Sequence, residues 1–478
     1  MTGYTPRWQP GACGFKLGAG MVQGKTVRCG YLVVPEDRSR PRGRQIRLAV
    51  AIFRTPSQNR LPDPLIFLQG GPGGRIVKDL GSIVNSQDAL PLMGRHDLIL
   101  IDQRGTGLSH PALNCWEVTN LQIRTLKQNL SPQRQVALEN RAVQQCRRRL
   151  VRQVTLSAYA TMADAADIAD LRRALGYRAI DLYGVSYGTR IALTIMRSFP
   201  TGIRSVILDS VVTPRFNLLA DQFQSEARLF NVLFRGCAQA RSCNRTYPRL
   251  QSTFYSLIRR LNRKPVTITA DDASSGKRYQ VLVNGYGLSD LVWTTPYDSS
   301  LISQLPKMLS QVEHGTYSLL ARIYGDIGFS FEDIDLGTYF SMDCGDDGDF
   351  TNSRQVAASV QALPALLRPY ALTNGFGFLQ ECKIWNVPPA PATQRQPVTS
   401  SIPTLVLAGQ YDLITPPANS QTVTKTLPHS YFFEFPGIGH AVRLSDPCPN
   451  TMTLAFLDDP TQKPDASCIA TMGSPFGH

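Results

Sequence analysis

The residues with the plainest chemical meaning stand in Gly184-Val185-Ser186-Tyr187-Gly188. The segment follows the apolar run AIDLY and opens a helical pattern. Strand, sharp turn and helix in this order make a nucleophile elbow, which presents the serine hydroxyl at the carboxyl edge of a sheet. A serine attacks only when a base takes its proton, and the base needs a third group to hold its tautomer. Both partners lie downstream. Asp412 closes Gly409-Gln410-Tyr411-Asp412 after PTLVLAG, and His440 lies in Gly437-Ile438-Gly439-His440-Ala441 after SYFFEF. The order Ser, Asp, His points to acyl transfer, with Ser186 attacking, His440 as general base and Asp412 orienting it. The remaining histidines, His96, His110, His314, His429 and His478, lack such surroundings.

The oxyanion formed in acyl transfer needs two preorganised N–H donors. Gln69-Gly70-Gly71-Pro72-Gly73-Gly74, directly after PLIFL, lets main chain approach a substrate carbonyl. The expected donors are the N–H groups of Gly71 and Tyr187. A further loop, Asp102 to Ser109 (DQRGTGLS), comes after DLILI. There an ion pair between Asp102 and Arg104 is expected to support the oxyanion loop. Such chemistry requires no metal and no organic cofactor.

These residues need a rigid frame. Seven apolar runs read as buried strands: Ile46–Phe53, Pro64–Gln69, Asp97–Asp102, Ala179–Gly184, Ser205–Val212, Pro403–Gly409 and Ser430–Phe435. Continuous apolar runs suit parallel strands covered on both faces. Helical patterns alternate with them. One spans Thr161 to Leu175, with a capping-box signature at Thr161 and Asp164 and a stop at Gly176. Another runs from Tyr187 to Ser198, ahead of Pro200. The alternation gives an α/β chain with a doubly wound, mostly parallel sheet. It breaks near Pro214, beyond which the pattern is mainly helical with one hairpin (PVTITA and RYQVLV). A Pro-rich stretch, Val387–Pro403, leads back to the sheet. The expected division is therefore 1–213 as the first part of the core, 214–399 as a mainly helical cap insertion, and 400–478 as the C-terminal part of the core.

Composition sets the outer bounds. The chain has 478 residues, 42% hydrophobic and 18% charged, which suits a large buried core. No apolar run approaches the roughly 18 residues of a membrane span. The net charge of +14 is spread out, and its densest clusters are Arg147-Arg148-Arg149 and Arg259-Arg260. A nucleic-acid surface would instead show a basic stripe with interleaved aromatics. The ten cysteines fall in order into Cys13/Cys29, Cys115/Cys146, Cys237/Cys243, Cys344/Cys382 and Cys448/Cys468. None sits in a C-x-x-C motif. Sequential disulfides in a secreted, periplasmic or cell-surface protein are expected; the other reading is ten buried thiols in a cytosolic one. The opening MTGYTPRWQPGACGF has no basic-then-apolar leader, so the export signal is expected to be absent from this sequence.

Taken together, the segments resemble the proline iminopeptidase and tripeptidyl aminopeptidase family of α/β-hydrolases. QGGPGG is similar to that family's HGGPG loop, DQRGTGLS to its D-x-R-G-x-G-x-S segment, and GVSYGT to its nucleophile elbow. The opening through VRCGYLVVPEDRSRPRGRQIRLAVAIFR, the later FSMDCGDD and ECKIW, and IPTLVLAGQYDLITPP with GIGH extend the resemblance over nearly the whole chain. Gln69 departs from the pattern, standing where proline iminopeptidases carry His. The resemblance implies the α/β-hydrolase fold and an exported enzyme that removes residues or short peptides from a free N-terminus. Its substrate would be a peptide, and its recognition of an ammonium group calls for carboxylates near the mouth of the site. Glu332, Asp333, Asp335, Asp343, Asp346 and Asp347 are the candidates, against the alternative that they are solvated loop acids. The alternative function is a carboxylesterase or amidase acting on small esters, lactones or amides. A catalytically silent binding protein is a third reading, but such proteins usually lose a triad residue.

Overall fold

The computed structural model describes residues 3–85, 87, 89–329 and 333–477. In chain order its strands are β1 (Arg7–Gly11), β2 (Val27–Pro35), β3 (Gln45–Phe53), β4 (Leu65–Leu68), β5 (Leu98–Ile101), β6 (Ile180–Val185), β7 (Ile203–Asp209), β8 (Val266–Asp271), β9 (Arg278–Val283), β10 (Thr404–Gly409) and β11 (Ser430–Phe435). All seven apolar runs are strands of one sheet, ordered β1-β2-β3-β5-β4-β6-β7-β10-β11. From β5 to β11 every pairing is parallel. The first three strands are antiparallel to their neighbours. So β3 departs from the parallel expectation although its run is continuously apolar. Its alternate residues feed two cores: Ile46, Leu48, Val50 and Ile52 on one face, Ala51 and Phe53 on the other. Cover on both faces made the run apolar, whatever the direction of its neighbours. β1 and β2 carry no apolar run, because β1 is mostly exposed and β2 mixes Arg28, Gly30 and Tyr31 into its length.

The helix Thr161–Leu175 has the expected bounds and ends at Gly176, whose φ of +76° only glycine adopts cheaply. Its start differs from expectation. Ala160 is the N-cap and no side chain caps the helix. The Thr161 hydroxyl instead donates to Asp346 at 2.7 Å. A buried long-range partner has outcompeted the local capping box.

Between β7 and β10 the chain forms helices and the β8–β9 hairpin. Many of these helices share an apolar core built on Phe223, Phe230, Phe234, Phe254, Leu309 and Ile323, among them Leu218–Gln239 and, through Ala371, Arg368–Trp385. The helix Leu336–Asp346 packs elsewhere, with Phe340 and Cys344 beside Leu113, Val143 and Trp385, and Met342 in the core that β3 and β6 feed. The Pro-rich return is irregular apart from a short turn at Ala392–Arg395. The ten cysteines form the five sequential disulfides, with none left free. Among the described residues no helix is long and apolar enough to cross a membrane.

Candidate active site

Ser186 sits between β6 and the helix Tyr187–Ser198, with φ +55° and ψ −126°. A non-glycine residue in this region is strained and must be held there by its surroundings. Two glycines make room. A Cβ on Gly188 would lie 2.0 Å from the Leu68 carbonyl oxygen, and one on Gly70 would lie 2.7 Å from the Ser186 Cβ. The Ser186 N–H donates to the Asp209 carbonyl at 3.0 Å, fixing the elbow to the end of β7. The hydroxyl thus stands at the positive end of a helix and directly beside the Gly70–Gly74 loop.

His440 and Asp412 meet across 28 residues of chain. His440 Nδ1 lies 2.9 Å from Asp412 Oδ2. Asp412 is fully buried, and its oxygens also accept the N–H groups of Ile414 (3.0 Å) and Thr415 (2.8 Å) and the Thr415 hydroxyl (2.8 Å). Burial pushes its carboxyl up, but His440 and these hydrogen bonds outweigh it and hold Asp412 below the ordinary carboxylate range. For His440 burial disfavours the charged ring, yet the Asp412 carboxylate, its hydrogen bond and Asp209 together raise it above the ordinary histidine value. Because Nδ1 must carry the proton shared with Asp412, Nε2 is left as the basic nitrogen. Nε2 is buried and has no hydrogen-bond partner among the described residues, so Ser186 and His440 are not hydrogen-bonded to each other.

Asp209 and Ser210 join the two halves, and the sequence reading missed both. The Asp209 carboxylate accepts the N–H groups of Val442 (2.8 Å) and Arg443 (2.9 Å), and the Ser210 hydroxyl accepts that of Ala441 (3.1 Å). Asp209 therefore holds the elbow with its main chain and the histidine loop with its side chain. The acid closing SVILD was the available signal. Tyr297, also missed, packs edge-on against His440 with ring centres 5.2 Å apart. The histidine loop further rests on the helical segment between β7 and β10, through His440 N–H to the Pro296 carbonyl (2.9 Å) and Gly439 N–H to the Ser299 hydroxyl (2.9 Å).

Gly71 has φ +118°, and the Gly74 N–H closes the turn on the Gly70 carbonyl at 3.1 Å. Among the described residues neither the Gly71 nor the Tyr187 N–H donates to a main-chain carbonyl. The expected ion pair between Asp102 and Arg104 is not formed. Asp102 accepts the N–H groups of Ile76 and Val77 (both 2.9 Å) and of Leu108 (2.7 Å). Arg104 turns the other way, with bonds to Asp167 of 2.8 and 2.9 Å. Asp102 thus supports the segment after the Gly70–Gly74 loop through main-chain donors, without a cation.

The acidic candidates divide. Glu332 lies outside the described residues. Asp333 is exposed. Asp335, Asp343, Asp346 and Asp347 are buried, so they are not solvated loop acids. Asp335 accepts the Gly107 N–H at 2.7 Å, Asp346 binds Tyr187 and Thr161, and Asp347 pairs with Arg190 (3.1 Å) and Arg395 (2.8 Å). Asp343 alone of the four has both carboxyl oxygens buried without a well-formed hydrogen bond, the Tyr339 hydroxyl being its polar neighbour. Burial, and then the negative charge of Asp347, push it well above the usual carboxylate range. Among the described residues no cluster of His, Cys, Asp and Glu is arranged to hold a metal.

The alpha/beta hydrolase fold family matches residues 63–447. The chain belongs to this family. Among relatives of this α/β hydrolase, serine protease Hip1 of Mycobacterium tuberculosis is 26% identical over 477 residues, covering 92% of this chain and 86% of that protein. A tripeptidyl aminopeptidase of Streptomyces lividans is 30% identical over 202 residues. That match takes in 40% of this chain and only 36% of the Streptomyces enzyme. A solved structure of a proline iminopeptidase from Mycobacterium smegmatis is 14% identical, with a TM-score of 0.38 over 90% of this chain and 98% of that one.

Proposed function

We propose that this α/β hydrolase is a serine exopeptidase that releases residues or short peptides from free N-termini. Ser186 is the nucleophile, His440 the general base and Asp412 the group that fixes the histidine tautomer. The observation that carries this reading is the buried His440 with Nδ1 committed to Asp412 and Nε2 uncommitted, on a loop tied through Asp209 to the Ser186 elbow. As Ser186 Oγ attacks the carbonyl carbon, its proton passes to His440 Nε2. The oxyanion is received by the N–H groups of Gly71 and Tyr187. His440 then protonates the leaving amine, and water, deprotonated by the same nitrogen, hydrolyses the acyl-enzyme.

Residues 214–399 form a cap over this site, a reading supported by the contacts of Pro296 and Ser299 with the histidine loop. Within the cap, Asp343 is the counter-ion for the substrate's ammonium group. A buried carboxyl short of hydrogen bonds is costly, and a cation arriving as ligand would relieve that cost. The names of the aminopeptidase and protease relatives favour the peptide substrate. Five disulfides support an oxidising compartment outside the cytosol.

Hydrolysis of a free tripeptidyl p-nitroanilide, the same compound with a blocked N-terminus, and p-nitrophenyl butyrate tests the reading with parent and Ser186→Ala. Amide turnover that disappears in the variant and is refused by the blocked peptide supports the exopeptidase. Turnover of the ester alone would leave a carboxylesterase in its place.

A further inference from the structure

The helix Leu336–Asp346 belongs to the inserted segment, yet each of its ends grips one side of the oxyanion hole. At its N-terminal end the Asp335 N–H donates to the Gly73 carbonyl at 2.9 Å, and Ile334 pairs with Gly74 as an antiparallel bridge. The Asp335 carboxylate accepts the Gly107 N–H at 2.7 Å and faces Arg75 at 3.3 Å. A Cβ on Gly73 would lie 2.8 Å from the Asp335 carbonyl oxygen, so loop and helix are in direct contact. The loop that carries the Gly71 donor is thus stitched to the start of this helix. At the C-terminal end, Asp346 accepts hydrogen bonds from the Tyr187 hydroxyl and from Thr161. Tyr187, Thr161 and Asp346 are all buried. Tyr187 supplies the other donor through its main chain. Asp347, next along the chain, pairs with Arg190 one turn further into the Tyr187 helix. The strut is itself braced by the Cys344–Cys382 disulfide and by the Trp385 indole N–H donating to the Ser341 hydroxyl at 2.9 Å.

Eleven residues of helix span about 16 Å of rigid length. An oxyanion hole works only when its donors are fixed before the charge develops. We infer that the helix Leu336–Asp346 is a strut that sets the separation of the two oxyanion donors, with Asp335 and Asp346 as its positioning residues. The inserted segment therefore takes part in stabilising the transition state, apart from any role in admitting substrate. This inference rests on the serine-hydrolase reading and deepens it. It also explains why the carboxylates of Asp335 and Asp346 do not serve a substrate amine: their oxygens are committed to Gly107, Arg75, Tyr187 and Thr161.

The test uses Asp346→Asn, Asp335→Asn and Tyr187→Phe, the last keeping the ring and the N–H while losing only the hydroxyl. Active sites are counted by the p-nitrophenol burst, and kcat is expressed per counted site. Misplacing a donor should lower kcat by about 10- to 100-fold, with KM changing less than about 3-fold. Affinity for butaneboronic acid should fall in parallel, because one oxygen of its tetrahedral serine adduct occupies the hole. Variants with parental kcat per site and parental boronate affinity would overturn the strut, as would a loss confined to the number of active sites. Labelling of the parent by a fluorophosphonate at a residue other than Ser186 would instead overturn the serine reading beneath it.

Discussion

Two buried carboxylates, one after strand β10 of the sheet and one on the helix Leu336–Asp346, are treated by the protein in opposite ways. Asp412, on the sheet side, has every oxygen engaged and is held ionised. Asp343, on the inserted side, has neither oxygen in a well-formed hydrogen bond and is pushed towards the neutral acid. The sheet side has its hydrogen bonds complete without a ligand, the arrangement that the proposed catalysis calls for. The other side keeps one carboxyl short of hydrogen bonds, which under the proposed function would suit it to a charged ligand. Burial is the same in both; hydrogen-bond satisfaction separates them.

The contrast breaks most sharply at the nucleophile. Ser186→Ala should lower kcat by on the order of 10⁵-fold for ester and amide alike, with folding intact by circular dichroism. Retained turnover would remove the sheet side from the chemistry. Asp412→Asn comes next, at about 10⁴-fold, because an amide can favour the wrong histidine tautomer. That substitution also moves the pH profile. Protonation of Nε2 abolishes the base, so kcat/KM of the parent should fall as pH falls through a midpoint above 6.5. Without the Asp412 charge the largest cause raising His440 is gone and burial remains, so the midpoint should move down. A profile unchanged in the variant would mean that another group titrates.

Asp343→Asn tests the inserted side. It should lower kcat/KM for a free tripeptidyl p-nitroanilide by about 10- to 100-fold, the scale of a charge-assisted hydrogen bond, and leave p-nitrophenyl butyrate within about 3-fold. Equal losses on both substrates would return Asp343 to architecture. In the parent, KM for the peptide but not for the ester should rise with acidification, since only the ionised carboxyl attracts an ammonium group. The smallest effect on turnover is expected at a disulfide that contacts neither carboxylate. Replacing Cys448 and Cys468 together by Ala should cost about 2–4 kcal/mol of stability, read by urea unfolding, with kcat unchanged.

The two sides were also unequally legible in the sequence. Ser186, Asp412 and His440 each come after an apolar strand in a glycine-marked turn, so local patterns were enough to single them out as candidates, and the structure brings His440 and Asp412 together. The cysteine pairs were legible because each joins cysteines that are consecutive along the chain. Thr161 and Asp164 carried a valid local signal that lost to a buried partner 185 residues away. Arg104 stood two residues from Asp102, but its guanidinium found a better site in Asp167. The acids of Leu336–Asp346 looked alike in the sequence because their differences lie wholly in long-range partners. β1 and β2 were missed because edge position leaves β1 exposed and polar residues interrupt β2.

The bracing of the oxyanion loop and elbow by one inserted helix has a consequence for recombination. Exchanging residues 214–399 with a relative's segment places the crossovers in plausible loops, yet it would separate Asp335 from Gly73 and Asp346 from Thr161 and Tyr187. A graft that carries a new specificity must therefore bring both acids in register, or redesign Thr161 and Tyr187 with it. The unit of exchange in this protein is thus set by the contacts of the helix Leu336–Asp346 and not by the bounds 214–399 alone.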